Sequence, residues 1–337
     1  MQVLYLHVPG LLGPVPADAR ELLGDDPALD GLARLLSRGR SGGAGRGMDD
    51  PPGFRAAYGG ALPAGPLSLL GDGGAPGAAF WFRADPVRLI PDRDRLRVQG
   101  LAPAAAPTAD EAAALVRDFN AFFGADGLEL HAPRPERWYL RCARPPQVTT
   151  TPLAEAEAAD VDPALPTGPD QRHWRALLNE TQMFFHGHGV NVEREGRGLP
   201  PVNGIWPWGG GYQPQVEADW DAVLADRALV RGLATAAGCR CEPLPDHPGS
   251  VIEGHARTLV CAPSPAVRDS DSFRDWEAAL AAFAEGWGPT LEAALGSGRL
   301  RRVVIDTGAG GCYRLGRRSA WAVWRRRRPL RRLLVTA

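Results

Sequence analysis

Between Arg175 and Asn203 the chain gathers hydrogen-bonding side chains at spacings that core packing does not demand. Arg175, Asn179, Gln182 and His186 fall at offsets of 0, 4, 7 and 11. On a helix turning about 100° per residue they stand within roughly 60° of one another. His188, Asn191, Arg194 and Asn203 follow in a stretch of glycine, charge and proline. Amides, imidazoles and a guanidinium directed at one point suit an anionic ligand, because the arginine fork matches a carboxylate or a phosphate. The candidate ligand-binding residues are Asn179, His186, His188, Asn191, Arg194 and Asn203. The same groups also admit a structural reading, in which the amides satisfy neighbouring backbone and the histidines cap a helix end. His186 and His188 lack a third ligand in zinc-like spacing, so no metal is assigned to them.

These residues need elements to position them. Trp174, Leu177, Leu178, Thr181, Phe184 and Phe185 recur at helical spacing behind a capping Asp170, which predicts a helix with a buried stripe. Gly187 and Gly189 are expected to end it, and Asn191 to Arg197 to form a charged loop. Pro200 and Pro201 force extended backbone before a strand over Asn203 to Trp208. Gly209, Gly210 and Gly211 then allow a turn or the close approach of a ligand.

Upstream, Val3 to Val8 reads as a buried strand, Glu21 to Arg38 as a leucine-rich helix and Gly39 to Gly53 as a glycine-rich loop. Ala78 to Phe82, Pro86 to Ile90 and Arg95 to Gln99 read as strands, the last two joined by a turn. Thr108 and Glu111 form a capping box that opens a helix burying Leu115, Phe119, Phe122 and Phe123. Gly127 to His131 and Arg137 to Cys142 form a hairpin, and residues 145–169 a long connection. Downstream, Ala222 to Leu224, His255 to Cys261 and Arg302 to Asp306 are strands alternating with helices over Asp226 to Gly238 and Ser272 to Leu295. That alternation predicts an α/β sheet covered on both sides. The expected organisation is one domain over residues 1–337, with 39–53 and 145–169 as flexible connections.

The chain has 337 residues, 38 basic and 39 acidic, and a formal net charge of -1. Every basic residue is arginine, so Schiff-base chemistry on a lysine is excluded. The near-zero charge argues against a nucleic-acid partner. Five cysteines without a C-x-x-C pair suggest neither a disulfide framework nor a zinc ribbon, and fit a reducing cytoplasm. No segment approaches the roughly 20 apolar residues that span a bilayer, so no membrane partner is expected. Eight arginines between Arg317 and Arg332 interleave with Trp321 and Trp324. They read as a solvated face around two docked tryptophans, or as a surface for phosphate-rich partners. Asp306-Thr307-Gly308 is a lone tripeptide of the aspartic-protease kind with no second copy, and carries no assignment.

Several blocks resemble known families. Leu178-Asn179-Glu180, His186-Gly187-His188-Gly189-Val190-Asn191, Arg194, and Pro201-Val202-Asn203 through Trp206-Pro207-Trp208-Gly209-Gly210-Gly211 resemble the archaeal-type, cofactor-independent phosphoglycerate mutases of the alkaline phosphatase superfamily. Ala228 to Leu233 looks like the helix that follows there. Arg83-Ala84-Asp85-Pro86-Val87-Arg88-Leu89, Asp92-Arg93-Asp94-Arg95-Leu96, Trp321, Trp324-Arg325-Arg326 and Pro329-Leu330 resemble a narrower bacterial group, regulator of pathogenicity factors E (RpfE).

The mutase resemblance implies an alkaline-phosphatase-like core, with a mixed, mostly parallel sheet between helices and small hairpin elements. It also implies a cytoplasmic protein handling phosphorylated three-carbon acids with two divalent metals and a serine or threonine nucleophile. The sequence departs from that pattern. Its first strand ends Leu6-His7-Val8-Pro9-Gly10, without a carboxylate. A late strand ends Ile305-Asp306-Thr307-Gly308, without a histidine. Asp269 and Asp271 stand in a stretch that also lacks histidine. Two hard cations need several converging oxygen or imidazole ligands. The leading expectation is a mutase-like protein that has lost its metal site, has no cofactor and binds a small phosphorylated acid or acts in regulation. An active mutase or phosphatase, and an interaction protein using the arginine-rich tail, stay open as alternatives.

Overall fold

The apolar segment Gln2–His7 forms strand β1, with Leu4 and Leu6 fully buried. The structure, a computed structural model, describes all residues except 1, 17–20, 22, 24–25, 44, 48–49, 57–60, 93–94, 158–160, 246, 263–269, 321–327 and 337. The chain falls into two compact units, one made of Met1–Arg55 and Val216–Ala337, the other of Ala56–Gln215.

In the first unit helix α1 (Pro27–Arg38) starts where Asp26 accepts a hydrogen bond from the Ala28 amide at 2.7 Å and Pro27 takes the first turn. The short strands β2 (Arg40–Ser41) and β3 (Phe54–Ala56) follow.

The second unit opens with helix α2 (Ala64–Gly71) and strands β4 (Phe80–Asp92) and β5 (Arg95–Gly100). The two strands expected at 78–82 and 86–90 are one, running through Pro86. Phe80 to Arg83 pair with a later strand and Val87 to Asp92 with β5, so Pro86 lies where this edge changes partners. Its missing N–H leaves no gap in either ladder. Helix α3 (Ala109–Phe123) carries the capping box in full, Thr108 and Glu111 exchanging bonds of 2.9 and 3.2 Å. Phe122, expected inside, is 59% exposed. Strands β6 (Leu128–Arg134) and β7 (Arg137–Cys142) form the expected hairpin. The connection 145–169 contains helices α4 (Leu153–Glu157) and α5 (Val161–Ala164).

Helix α6 (Gln171–His186) buries Trp174, Leu177, Leu178, Thr181 and Phe185. The Asp170 side chain accepts from the Gln147 amide at 2.7 Å instead of capping it. The stretch expected as a loop is helix α7 (Gly189–Gly196), capped by the His188 ring, which accepts from the Val190 amide at 3.2 Å. Strand β8 (Gly204–Gly211) pairs with β4. The sheet order is β5-β4-β7-β6 with β8 also on β4. Its core gathers Phe82, Leu115, Phe119, Phe123, Trp138, Leu140, Trp174 and Ile205.

The chain resumes the first unit with β9 (Val216–Ala218), which pairs with β3, then β10 (Ala222–Ala225), α8 (Ala228–Ala236), β11 (Arg240–Glu242) and β12 (Arg257–Cys261). Helix α9 (Ser270–Ser297), β13 (Leu300–Asp306), β14 (Cys312–Gly316) and the turn α10 (Arg317–Ala320) complete it. The sheet order is β11-β10-β12-β1-β13-β14-β2. The first five strands are parallel, β14 runs antiparallel to β13, and β2 runs antiparallel to β14. Helices α1 and α9 cover one face through Leu32, Leu36, Trp276, Leu280 and Leu291. On the other face Val230 and Ala234 of α8 pack with Val223 and Leu259. The class is thus α/β, mixed and mostly parallel, with helices on both faces. Trp321, Trp324 and Arg325 to Arg327 of the tail lie outside the described residues.

Candidate functional site

The six candidate residues all lie in the second unit, with different fates. The Asn191 side chain is buried and donates to the Phe185 and Val202 carbonyls at 2.7 and 2.9 Å while accepting from the Val202 amide at 2.8 Å. Asn203 does the same for Leu89, accepting from its amide at 2.6 Å and donating to its carbonyl at 2.9 Å. Arg194, wholly buried, donates to the Pro200 carbonyl at 3.0 Å, to Glu111 at 2.6 Å and to the Ala105 carbonyl at 2.5 Å. Burial works to raise the Glu111 carboxyl, but the Thr108 amide and the two arginines Arg197 and Arg194 hold it below the usual range. His188 bridges from its cap to Asp118 at 3.0 Å. Asn179 and His186 are exposed on α6. The arrangement therefore joins Asn191, Arg194 and Asn203 to the protein's own backbone and leaves Asn179 and His186 facing solvent.

Two further landmarks resolve in the same way. Asp85, 4% exposed, accepts from Arg83 at 2.8 Å and from the Trp208 indole at 2.7 Å, and the Arg83 guanidinium lies 5.3 Å from the Trp208 ring centre. A Cβ on Gly209, Gly210 or Gly211 would overlap Ala64, Phe82 or Pro63 respectively. The close approach these glycines permit is made by the protein itself. A concavity of about 590 Å³ in this unit is lined by Phe80, Trp81, Glu129, His131, Arg141 and Tyr212 among others. None of the six candidates lines it.

In the first unit the ends of adjacent parallel strands bring His7 and Asp306 together, as the β1–β13 register requires. In open α/β sheets ligands bind at such strand ends. The His7 ring, 2% exposed, meets Asp306 through Nδ1 at 3.3 Å and the Gly47 carbonyl through Nε2 at 3.2 Å. Asp306, fully buried, also accepts from the Tyr5 hydroxyl at 3.3 Å, the Gly308 amide at 3.1 Å and the Arg46 amide at 3.2 and 3.3 Å. Burial works to raise its pKa, but the bonds from His7, Gly308 and Arg46 outweigh it and keep the carboxyl below its ordinary value. Burial, and then Asp306 and Cys312 beside it, push Tyr5 up. Cys312 is raised likewise, by burial and then by Asp306. Residues 45–47 of the glycine-rich loop thus lie directly over the strand ends.

Of the carboxylates and imidazoles expected near a two-metal centre, His7 and Asp306 meet. Asp269 is outside the described residues, and nothing is described of the Asp271 side chain. Among the described residues no group of three or more His, Cys, Asp or Glu side chains is arranged to hold a metal. Both Asp306 oxygens accept N–H or O–H donors, and His7 is bonded at both nitrogens. Tyr5, Arg46, Gly47 and Cys312 also belong to this cluster, although none is among the candidate residues. A tyrosine and a histidine two apart on one face of a short apolar strand was the available signal for part of it.

No protein-family model matches the chain. It is 30% identical over 114 residues to a 2,3-bisphosphoglycerate-independent phosphoglycerate mutase from Methanosarcina mazei, covering 32% of this chain and 26% of that one. It is 26% identical over 221 residues to a probable 2,3-bisphosphoglycerate-independent phosphoglycerate mutase from Geobacter sulfurreducens, covering 62% and 54%. These matches span between about a quarter and about half of the relatives' lengths. In three dimensions it resembles the PH0037 protein from Pyrococcus horikoshii with a TM-score of 0.53 and 16% identity, over 95% of this chain and 91% of that one. No helix among the described residues is long and apolar enough to cross a membrane.

Proposed function

From its distant homology to the cofactor-independent phosphoglycerate mutases, whose alkaline-phosphatase-like fold it shares, we propose that this chain is a mutase-like protein without a two-metal site that acts by binding rather than by phosphoryl transfer. One observation carries the reading. The strand-end carboxylate Asp306 is saturated by bonds from His7, Tyr5, Arg46 and Gly308, and His7 holds Gly47 over it. A carboxylate so engaged is not available to a cation without breaking up the loop above it. The ligand is a small phosphorylated acid, and the role is regulatory, as the RpfE resemblance implies. Free cysteines suit the reducing cytoplasm in which such a protein would work.

Of the six candidate residues, Asn179 and His186 have side chains open to a ligand, and they are the ones to test. Isothermal titration with 3-phosphoglycerate should give a binding heat without added metal that Asn179→Ala and His186→Ala each weaken roughly tenfold, the value of one lost charge-assisted bond of about 1.4 kcal/mol. Equal heats in all three proteins would remove the ligand from this surface. Metal analysis checks the other half of the reading. Two tightly held manganese or zinc ions per chain, with turnover of 3-phosphoglycerate, would make it an active enzyme and overturn the proposal.

A further inference from the structure

The near-neutral composition conceals a strong separation of charge. Residues 299–337 hold twelve arginines and one carboxylate, Asp306, a net charge of +11. The whole chain carries -1, so residues 1–298 carry -12. Asp306 is buried and already engaged, so it screens little of this charge at the surface.

The fold arranges part of that charge into a line. Successive residues of a strand point to opposite faces. On β13, Val303 and Ile305 enter the core shared with α1 and α9, so Arg302 and Val304 face the other way, the side on which Tyr5 packs with Val230 and Ala234 of α8. On that face Arg314 stands opposite Val304, and Arg40 stands opposite Arg314. One level along the strands, Val3 lies between Arg257 on β12 and Arg302 on β13. Arg257, Arg302, Arg314 and Arg40 are all exposed. With strands about 4.8 Å apart, the row from β12 to β2 extends about 19 Å. Arg314 is steadied by a bond to the Gly42 carbonyl at 3.0 Å, and Arg257 lies 5.7 Å from the Trp220 ring centre.

Like charges placed directly opposite on neighbouring strands destabilise a sheet, so the Arg314–Arg40 pair works against folding by itself. We propose that this face binds the phosphodiester backbone of a nucleic acid, without reading its bases. A regularly charged polymer matches a line of planar forks in a way that one small anion cannot, because each guanidinium can take a separate phosphate. A membrane surface fits less well, since among the described residues the large exposed apolar side chains, Phe122, Met183, Val192 and Tyr212, all belong to the other unit. The proposal is independent of the mutase-like reading, because no residue in it belongs to the strand-end cluster or to α6.

Fluorescence anisotropy of the full chain with a labelled oligothymidylate and with a duplex of equal length tests it. Affinity should fall linearly with salt on logarithmic axes, with a slope of about -3 on the single strand for four phosphate contacts. The triple variant R40Q/R302Q/R314Q should lose roughly tenfold or more in affinity at about 50 mM salt and flatten the slope by about 2. The triple lysine version, R40K/R302K/R314K, should keep most of the slope. Arg144 and Arg172 are exposed in the other unit, and R144Q/R172Q should bind as the parent does. Absence of binding, equal loss in R144Q/R172Q, or tighter capture by phosphatidylserine vesicles than by the oligonucleotides would overturn the proposal. Unchanged thermal melting of the glutamine variant separates loss of contact from loss of fold.

Discussion

Three asparagine side chains act in this protein as substitute peptide groups. Asn191 serves Phe185 and Val202, Asn203 serves Leu89, and Asn120 serves Leu130 on the outer edge of β6, donating at 2.9 Å and accepting at 2.6 Å. Asn191→Ala is expected to cost about 2 to 4 kcal/mol in urea unfolding, because it leaves buried backbone groups without partners. Arg194→Ala is expected to cost about 3 kcal/mol, since it strips Glu111 of its buried partner. Lost ligand heat in that variant would therefore report damage to the fold, and a stability within about 0.5 kcal/mol of the parent would refute the structural role. The residue types and their spacing were legible in the sequence, but their roles were not. Asn203 and Leu89 are 114 residues apart, and no local pattern tells whether an amide will meet a backbone or a solute.

Among the elements, those declared by periodicity and capping were readable, as in β1, α3, α6, α9 and the β6–β7 hairpin. The errors fell where glycine and proline were taken as breaks. Gly187 does end α6, but Gly189 is the first residue of α7, which the His188 ring caps. Pro86 sits inside β4 because the partners on that edge change around it. The glycine-rich loop is held at 45–47 because a Cβ on Gly45 would overlap the Gly308 carbonyl, so only glycine lets the loop lie against the strand end. Asp306→Ala should release this segment. Hydrogen exchange at the Arg46 amide is expected to quicken roughly tenfold or more, the equivalent of one charge-assisted bond. Unchanged exchange would mean that other contacts hold the loop.

For the whole molecule, acid stability should reflect depressed carboxylates in both units. Asp306 belongs to the first. In the second, burial works to raise Asp72, but bonds from Arg137 at 2.9 and 3.0 Å and from the Tyr139 hydroxyl at 2.7 Å hold it below its ordinary value. A carboxyl depressed in the folded state adds stability that is complete above the unfolded value of about 3.9 and is lost as pH falls through the folded one. Urea midpoints should therefore be insensitive to these groups at neutral pH and drop below about pH 4. Asp72→Asn should lower stability at neutral pH and shallow that acid limb, and an acid limb as steep as the parent's would rule the residue out as its cause. Cys142 and Cys261, whose thiols burial pushes up to about 12, should react with a thiol reagent more slowly than the half-buried Cys239 and Cys241.

By itself the sequence determined the α/β class, the mostly parallel sheet, the principal helices and the kinship with phosphoglycerate mutases, because periodicity, caps and a few dense motifs are local properties. Tertiary structure decided which polar groups face each other. Pairing of β1 with β13 made Tyr5, His7 and Asp306 neighbours across 299 to 301 residues, and strand order put Arg40, Arg302 and Arg314 on one face. Contacts of that range depend on sheet register, a property of two strands together, and neither strand's sequence contains it.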